Sequence, residues 1–503
     1  MTANVAASEH GTLRKDQRLL VGSLLCGIVF DFLFYDKPAG VSHPLFLAAL
    51  YVYFNAMLKE KAKLRYDGGT LLLLTIALLS LTYVVFSNEL FRLLNTLAVP
   101  ALIAMHTTWA YGGQKGGWHE PGFLSRAFGQ AVVGSLRQLP EPLKVLLATL
   151  RKQVRASRYT AALKISIGLL IAAPLLFIVI VLLASADKMF DHVVSGLPRM
   201  LERIDFGSAV SHAVVIGFLM LVLFCFTRGL LYSAEPKSNK EEPWAELTAA
   251  GPIRFDPLVT ATVLVCVNLV YVIFVVVQFS YLFGGGEGTL PDGVTYAEYA
   301  RRGFMELVAV TSMNFAMLLA VLYRVRKEGM NLHRVNRGLL GLMTGCTAVM
   351  LFSAYYRLSL YEQAYGYTYT RLLVHAFMIF LLVLFLIALY KIVRETAALA
   401  RPFLIASLVA YMTVNYMNID AIIARNNIAR FEASGNVDEA YLAGLSPDAA
   451  PQLAKLYEAH PELAVLGDGL RRMRDNLSAP APWMSYNVSK QQARKALEGL
   501  RLP

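Results

Sequence analysis

The sequence predicts an all-α, polytopic integral membrane helix bundle with a small extracytoplasmic all-α C-terminal domain. Three observations predict it. The chain of 503 residues is 56% hydrophobic and only 16% charged, whereas soluble domains carry about a quarter charged residues. Many of its apolar runs approach or reach the ~17–25 residues needed to cross a bilayer. Lys and Arg crowd alternate connections between those runs, the pattern expected because basic segments resist translocation.

Eleven spans follow from the apolar runs, at 19–35, 43–58, 70–87, 90–110, 163–184, 209–232, 257–283, 303–323, 338–356, 371–392 and 401–418. The first is preceded by a polar, weakly basic segment and followed by no small-residue cleavage signal, so it reads as a retained span. The second is short. Placing Arg14, Lys15 and Arg18 in the cytoplasm puts Lys59 to Arg65, the basic 111–164 segment, Arg228 to Arg254, Arg324 to Arg337 and Lys391 to Arg401 on the same side. The N-terminus is therefore expected inside and the tail outside, across a cytoplasmic (inner) membrane. The expected organisation is a four-span segment at 1–110, a cytoplasmic linker at 111–162, a seven-span core at 163–418 and an external helical tail at 419–503.

Three stretches do not read as spans. "EPLKVLLATLRKQVRASRY" places Leu143, Leu146, Leu147, Leu150 and Val154 at helical spacing, with Arg151, Lys152, Arg155 and Arg158 largely off that stripe. Such a basic amphipathic helix suits the headgroup plane, and residues 141–158 could also meet a cytoplasmic protein partner. "ADKMFDHVVSGLPRMLERIDFG" reads as an interfacial helix on the outer surface. In the tail, "LSPDAAPQLAKLYEAH" offers Ser446 as N-cap and Pro447 at the first helical position. "NVSKQQARKALEGL" sets Ser489 and Gln492 at capping-box spacing.

The chemistry concentrates at outer helix ends. "TYAEYARRGFMELVAVTSMNFAMLL" carries charge straight into an apolar helix, with Glu298–Arg302 and Arg302–Glu306 as facing i, i+4 pairs and Arg301 beside them. Ionisable groups inside a span are costly and usually functional. Asp31, Asp187, Gln278, Arg357, Tyr361, Arg371 and His375 all fall toward the same side. The expectation is one outward-facing polar cavity that binds or translocates a small anionic or lipid-derived molecule, since Arg forks match carboxylate and phosphate. Transport would further need polar groups near the midplane, for which Asn268 and Asn314 are the candidates.

Other classes are weaker. A sensor or assembly component working through residues 141–158 is the main alternative. No Walker loop, HExxH or GxSxG is present, and His106, His212 and His375 lie on different helices. The chain leans away from an enzyme, and no metal or cofactor is expected. A lipid-linked-sugar glycosyltransferase would need acidic groups in its first external loop. Asp31 and Asp36 are there, but that loop is only a few residues long. Nucleic acid is not an expected partner, because no basic stripe is interleaved with aromatics; the bilayer is.

Several phrases occur in an order that resembles a family. They are "GLLIAAPLLFIVIVLLASADKMF", "TYAEYARRGFMEL", "RLSLYEQAYGYTYTRL", "NIDAIIARNNIARF" followed by "YLAGLSPDAAPQL", and "WMSYNVSKQQARKAL". They are similar to bacterial membrane proteins grouped as domains of unknown function 4153 and 4173, over residues 160–500. Ile419 stands where such sequences would be expected to carry proline. The resemblance implies a bacterial polytopic fold and no established activity.

Overall fold

A computed structural model describes residues 2–59, 69–112, 118, 122–153, 206–232, 255–283, 304–325 and 330–502. Among them the protein is all-α, with seventeen helices and no strand. The bundle is built from α1 (Thr2–Phe34), α2 (Ser42–Leu58), α3 (Gly69–Val85), α4 (Glu89–Tyr111), short α5 (Phe123–Gly129) and α6 (Glu141–Gln153). It continues with α7 (Phe206–Tyr232), α8 (Pro257–Phe283), α9 (Phe304–Arg324), α10 (Met330–Tyr365), α11 (Tyr369–Val393) and α12 (Ala400–Tyr416). The tail adds α13 (Ile419–Ser434), α14 (Glu439–Ala443), α15 (Ala450–Ala459), α16 (Ala464–Ser478) and α17 (Val488–Glu498).

Seven described helices are long and apolar enough to cross a membrane: α1, α4, α7, α8, α9, α10 and α11. An eighth is reached only by joining α12 to α13 across a 59° bend. The expected eleven is thus not reached among the described residues. Helices α2, α3 and α12 have 17 residues each, about 26 Å of helix against a hydrocarbon core of about 30 Å. The expected span 163–184 and the expected interfacial helix after it lie outside the described residues. The flanking Gln153 and Phe206 sit at opposite ends of the bundle.

Contacts define those two ends. At one, α1, α3, α10 and α12 finish and the tail packs across them. Gly40, in the turn after α1, lies so close to Ser485 and Tyr486 that a Cβ would come within 2.5 Å of backbone. At the other end α6 packs on α1 and α7, where Gln17 Nε2 donates to Thr149 Oγ1 at 2.8 Å. Helices α1 and α7 run together because Gly27 admits the Ile216 carbonyl, 2.7 Å from where a Cβ would be; small residues permit such backbone approach in membrane bundles.

The tail has its own apolar core of Ile423, Ala449, Leu453, Leu466, Leu470 and Leu497, all fully buried. That core is continuous with the bundle through Phe91 of α4 and through Leu372, Val414 and Met417. Helix α12 stops at Asn418, a left-handed residue (φ 47°) whose side chain caps α13 by accepting from Ala421 N–H. Ile419, in the place expected for proline, is the first residue of α13. Ser446 caps a short 3-10 turn at Pro447, as its sequence suggests. For α17 the N-cap is Asn487, which accepts from Lys490 N–H, and the capping-box reading of Ser489 is corrected by two residues.

Candidate functional site

The expected polar residues of α8, α10 and α11 meet at the tail-bearing end. Spacing of i, i+4 sets Ser353, Arg357 and Tyr361 on one face of α10. There Ser353 Oγ donates to Gln278 Oε1 at 2.8 Å and Arg357 Nη2 donates to the same oxygen at 3.2 Å. Gln278 is 5% exposed. The Arg371 guanidinium stacks 4.2 Å above the Tyr361 ring and donates through Nη1 to the Gly366 carbonyl. One turn further along α11, His375 Nδ1 lies 3.3 Å from Glu362 Oε2. Both are buried, and Glu362 Oε1 has no hydrogen-bond partner among the described residues.

The remaining predicted residues distribute differently. Glu306 is exposed in the first turn of α9. Glu298, Arg301, Arg302 and Asp187 lie outside the described residues, so the charged helix entry does too. Asp31 pairs with His212 at 2.7 Å on α7, and Tyr35 stacks on that imidazole at 3.9 Å. The midplane candidates are tied into packing. Asn314 accepts from Tyr271 and donates to Thr347, and Asn268 donates to the Leu339 carbonyl.

A second polar concentration, absent from the expected site, lines the seam between tail and bundle. Asp448 accepts from Ser87 N–H and from Ser87 Oγ, both at 2.8 Å. Asp420, fully buried, accepts from Asn88 Nδ2 at 2.6 Å, from Ser446 N–H at 3.1 Å and from the Tyr369 hydroxyl. Asn487 donates to the carbonyls of Tyr83 and Phe86 at 2.9 and 2.8 Å. Asn95 links Asn415 and Tyr411 below them. Beside this network a cleft is lined by Thr82, Phe86, Asn88, Arg92, Asn415 and Asp448.

The seam residues carry a local signal that sequence reading can use only in part. Ser87-Asn88 sits where α3 must turn into α4, and Asn88 is an N-cap accepting from Phe91 N–H at 3.1 Å. Asp448 reads from sequence only as a helix-dipole partner, and nothing local indicates that it reaches Ser87.

A family model described as a domain of unknown function (DUF4153) matches residues 73–456. The match begins inside α3, earlier than the resemblance at 160–500. It takes in Ser87, Asn88, Arg92, Gln278, Arg357, Arg371, Asp420 and Asp448, and stops within α15. No curated protein and no solved structure matches the chain.

Proposed function

The chain belongs to the DUF4153 family, a multi-pass helical membrane protein, and we propose that it binds a small anionic or lipid-derived molecule at the tail-bearing end of its bundle. In this reading that end faces outward from a bacterial cytoplasmic membrane, as the Lys/Arg pattern suggests. The observation that carries the reading is Arg371. Its guanidinium is half-buried, rests on the Tyr361 ring and donates to a carbonyl, and it makes no ion pair with a carboxylate among the described residues. A half-buried cation that is not ion-paired keeps its charge available to an anion. Gln278 of α8 and Arg357 of α10 lie on the neighbouring stretch as further hydrogen-bonding groups.

Binding is better supported than translocation. Asn314 is spent on helix–helix hydrogen bonds, Asn268 donates to the Leu339 carbonyl, and α8 and α9 run unbroken where a transport site favours broken helices. A sensor docking a partner on 141–158 has less support, because α6 turns Val145 and Thr149 into the bundle. The glycosyltransferase reading weakens with Asp31 committed to His212.

The test is native mass spectrometry of protein extracted gently from its own membrane. Wild type should carry a defined additional mass that Arg371→Gln loses while remaining folded by circular dichroism. A wild-type protein with no bound species, or one that Arg371→Gln retains in full, would end this reading.

A further inference from the structure

At the tail seam two cations from distant parts of the chain approach each other, neither in an ion pair among the described residues, and we propose that Arg92 and Lys490 form a binding site for a phosphate group, carried by a lipid headgroup or free in solution. This site is separate from the Arg371 region and stands independently of it.

Arg92 is in the first turns of α4. Its Nη2 donates to the Phe86 carbonyl at 3.0 Å, whereas its Nε is buried and has no hydrogen-bond partner among the described residues. A buried N–H of a charged group left unmet is costly, so its presence points to a partner. Asn487, the cap of α17, donates to the same Phe86 carbonyl, which brings the first turn of α17 against Arg92. Lys490 is in that turn, half-buried. Its ammonium makes no hydrogen bond or ion pair among the described residues.

The surroundings favour an anion. Burial and the nearby charges of Arg92 and Arg494 hold the Lys490 ammonium below its usual range, and Glu89 alone opposes them. Arg494 is occupied, with Nε on the Leu477 carbonyl at 2.7 Å. Asp448 lies close to Arg92, but its oxygens already accept from Ser87. Three cations therefore face two carboxylates, Asp448 and Glu89, which leaves an excess of positive charge. Arg92 also lines the small cleft at the seam. The seam lies at the turn where α3 ends and α4 begins. A guanidinium fork beside an ammonium suits a phosphate better than any neutral headgroup.

The experiment uses full-length protein in detergent, with thermal unfolding followed on adding inorganic phosphate, phosphatidylglycerol or a neutral glycolipid. Phosphatidylglycerol or inorganic phosphate should raise the midpoint of wild type, and the glycolipid should not. Lys490→Gln, which removes no hydrogen bond or ion pair among the described residues, should weaken the effective ligand roughly tenfold, the size of one charge-assisted hydrogen bond. Arg92→Gln should do at least as much, although its bond to Phe86 also serves the fold. A shift with phosphatidylglycerol alone assigns a lipid headgroup; a shift with inorganic phosphate as well assigns free phosphate. Equal shifts in wild type and Lys490→Gln, or no shift with either phosphate compound, overturn the site. The species lost in Arg371→Gln should persist in Lys490→Gln, so the two proposals fail separately.

Discussion

The two ends of the bundle each hold a helical element against the spans, and they hold it with different chemistry. At the tail seam, buried Asp420 and Asp448 are met by neutral donors: the Ser87 N–H and hydroxyl, the Asn88 amide, the Tyr369 hydroxyl and the Ser446 N–H. At the opposite end Arg228 of α7 lies between two carboxylates, 3.2 Å from Asp16 and 2.9 Å from Glu141 of α6. It also donates to Gln138 and covers the Tyr232 ring. The tail is thus fixed by many directional bonds spread over several residues. Helix α6 is tied through one central cation, with the Gln17–Thr149 bond and buried Val145 beside it. Distributed neutral donors lose one bond at a time, whereas a lone central charge leaves every partner uncompensated when it goes.

The sharpest way to break this contrast is Arg228→Ala. It strands Asp16, whose side chain is 5% exposed, and Glu141. Removing one partner of a buried pair costs roughly 3–5 kcal/mol; partial exposure of Glu141 favours the lower part of that range. Thermal unfolding should show the loss, and the triple change Asp16→Asn, Glu141→Gln, Arg228→Gln should recover part of it. A triple variant as unstable as Arg228→Ala would mean that stranded charge is not the cause.

Asp420→Ala comes next. It orphans three donors at once, and with unmet buried donors costing about 1–3 kcal/mol each before relaxation and water recover part, a net loss of about 3 kcal/mol is expected. Limited proteolysis should then release fragments of residues 419–502 before the bundle is cut. If the bundle is cut first, the seam is not the weak point. Asn487→Ala should cost about 2 kcal/mol, from the α17 cap and the two carbonyl bonds to Tyr83 and Phe86 together. Asn487→Asp should restore the cap and not the bonds, and melting of the two variants separates the contributions.

The smallest effect concerns pH. The Glu462 carboxyl is held below its usual range, first by its own backbone N–H and then by His460. A carboxyl depressed in the folded state adds stability above its unfolded pKa and loses it as pH falls through the folded value. Glu462 is fully exposed, so solvent screens the contribution. Glu462→Gln should therefore leave the acid side of the melting profile unchanged. A measurable change would show that surface charge, and not the buried seam, sets the tail's stability.

Helical class and membrane character were legible because apolar length is a property of each segment alone. The α2, α3 and α12 helices were harder: at 17 residues they sit where crossing and not crossing differ by a turn. Gln278, Arg357, Arg371 and His375 could be singled out because polar or ionisable groups in apolar helices are conspicuous. Their pairing could not, since it depends on how α8, α10 and α11 turn toward each other. The seam was not legible. Ser87, Asn88 and Asn487 look like ordinary turn residues, and their partners lie up to several hundred positions away. Asn487 and Ser489 both suit a helix start, and only the carbonyls of Tyr83 and Phe86 decide between them.

Ser87 and Asp448 are 361 residues apart, and that separation sets an order of manufacture. At about 5–20 residues per second, a ribosome completes Asp448 about 20–70 s after Ser87. Throughout that interval the turn between α3 and α4 stands with its Ser87 N–H and Asn88 amide open to water. A segment made much later closes a surface prepared early. A transcript that stops short of Ile419 therefore yields a membrane protein whose early hairpin is never capped, which gives proteolytic surveillance a definite place to tell finished chains from unfinished ones.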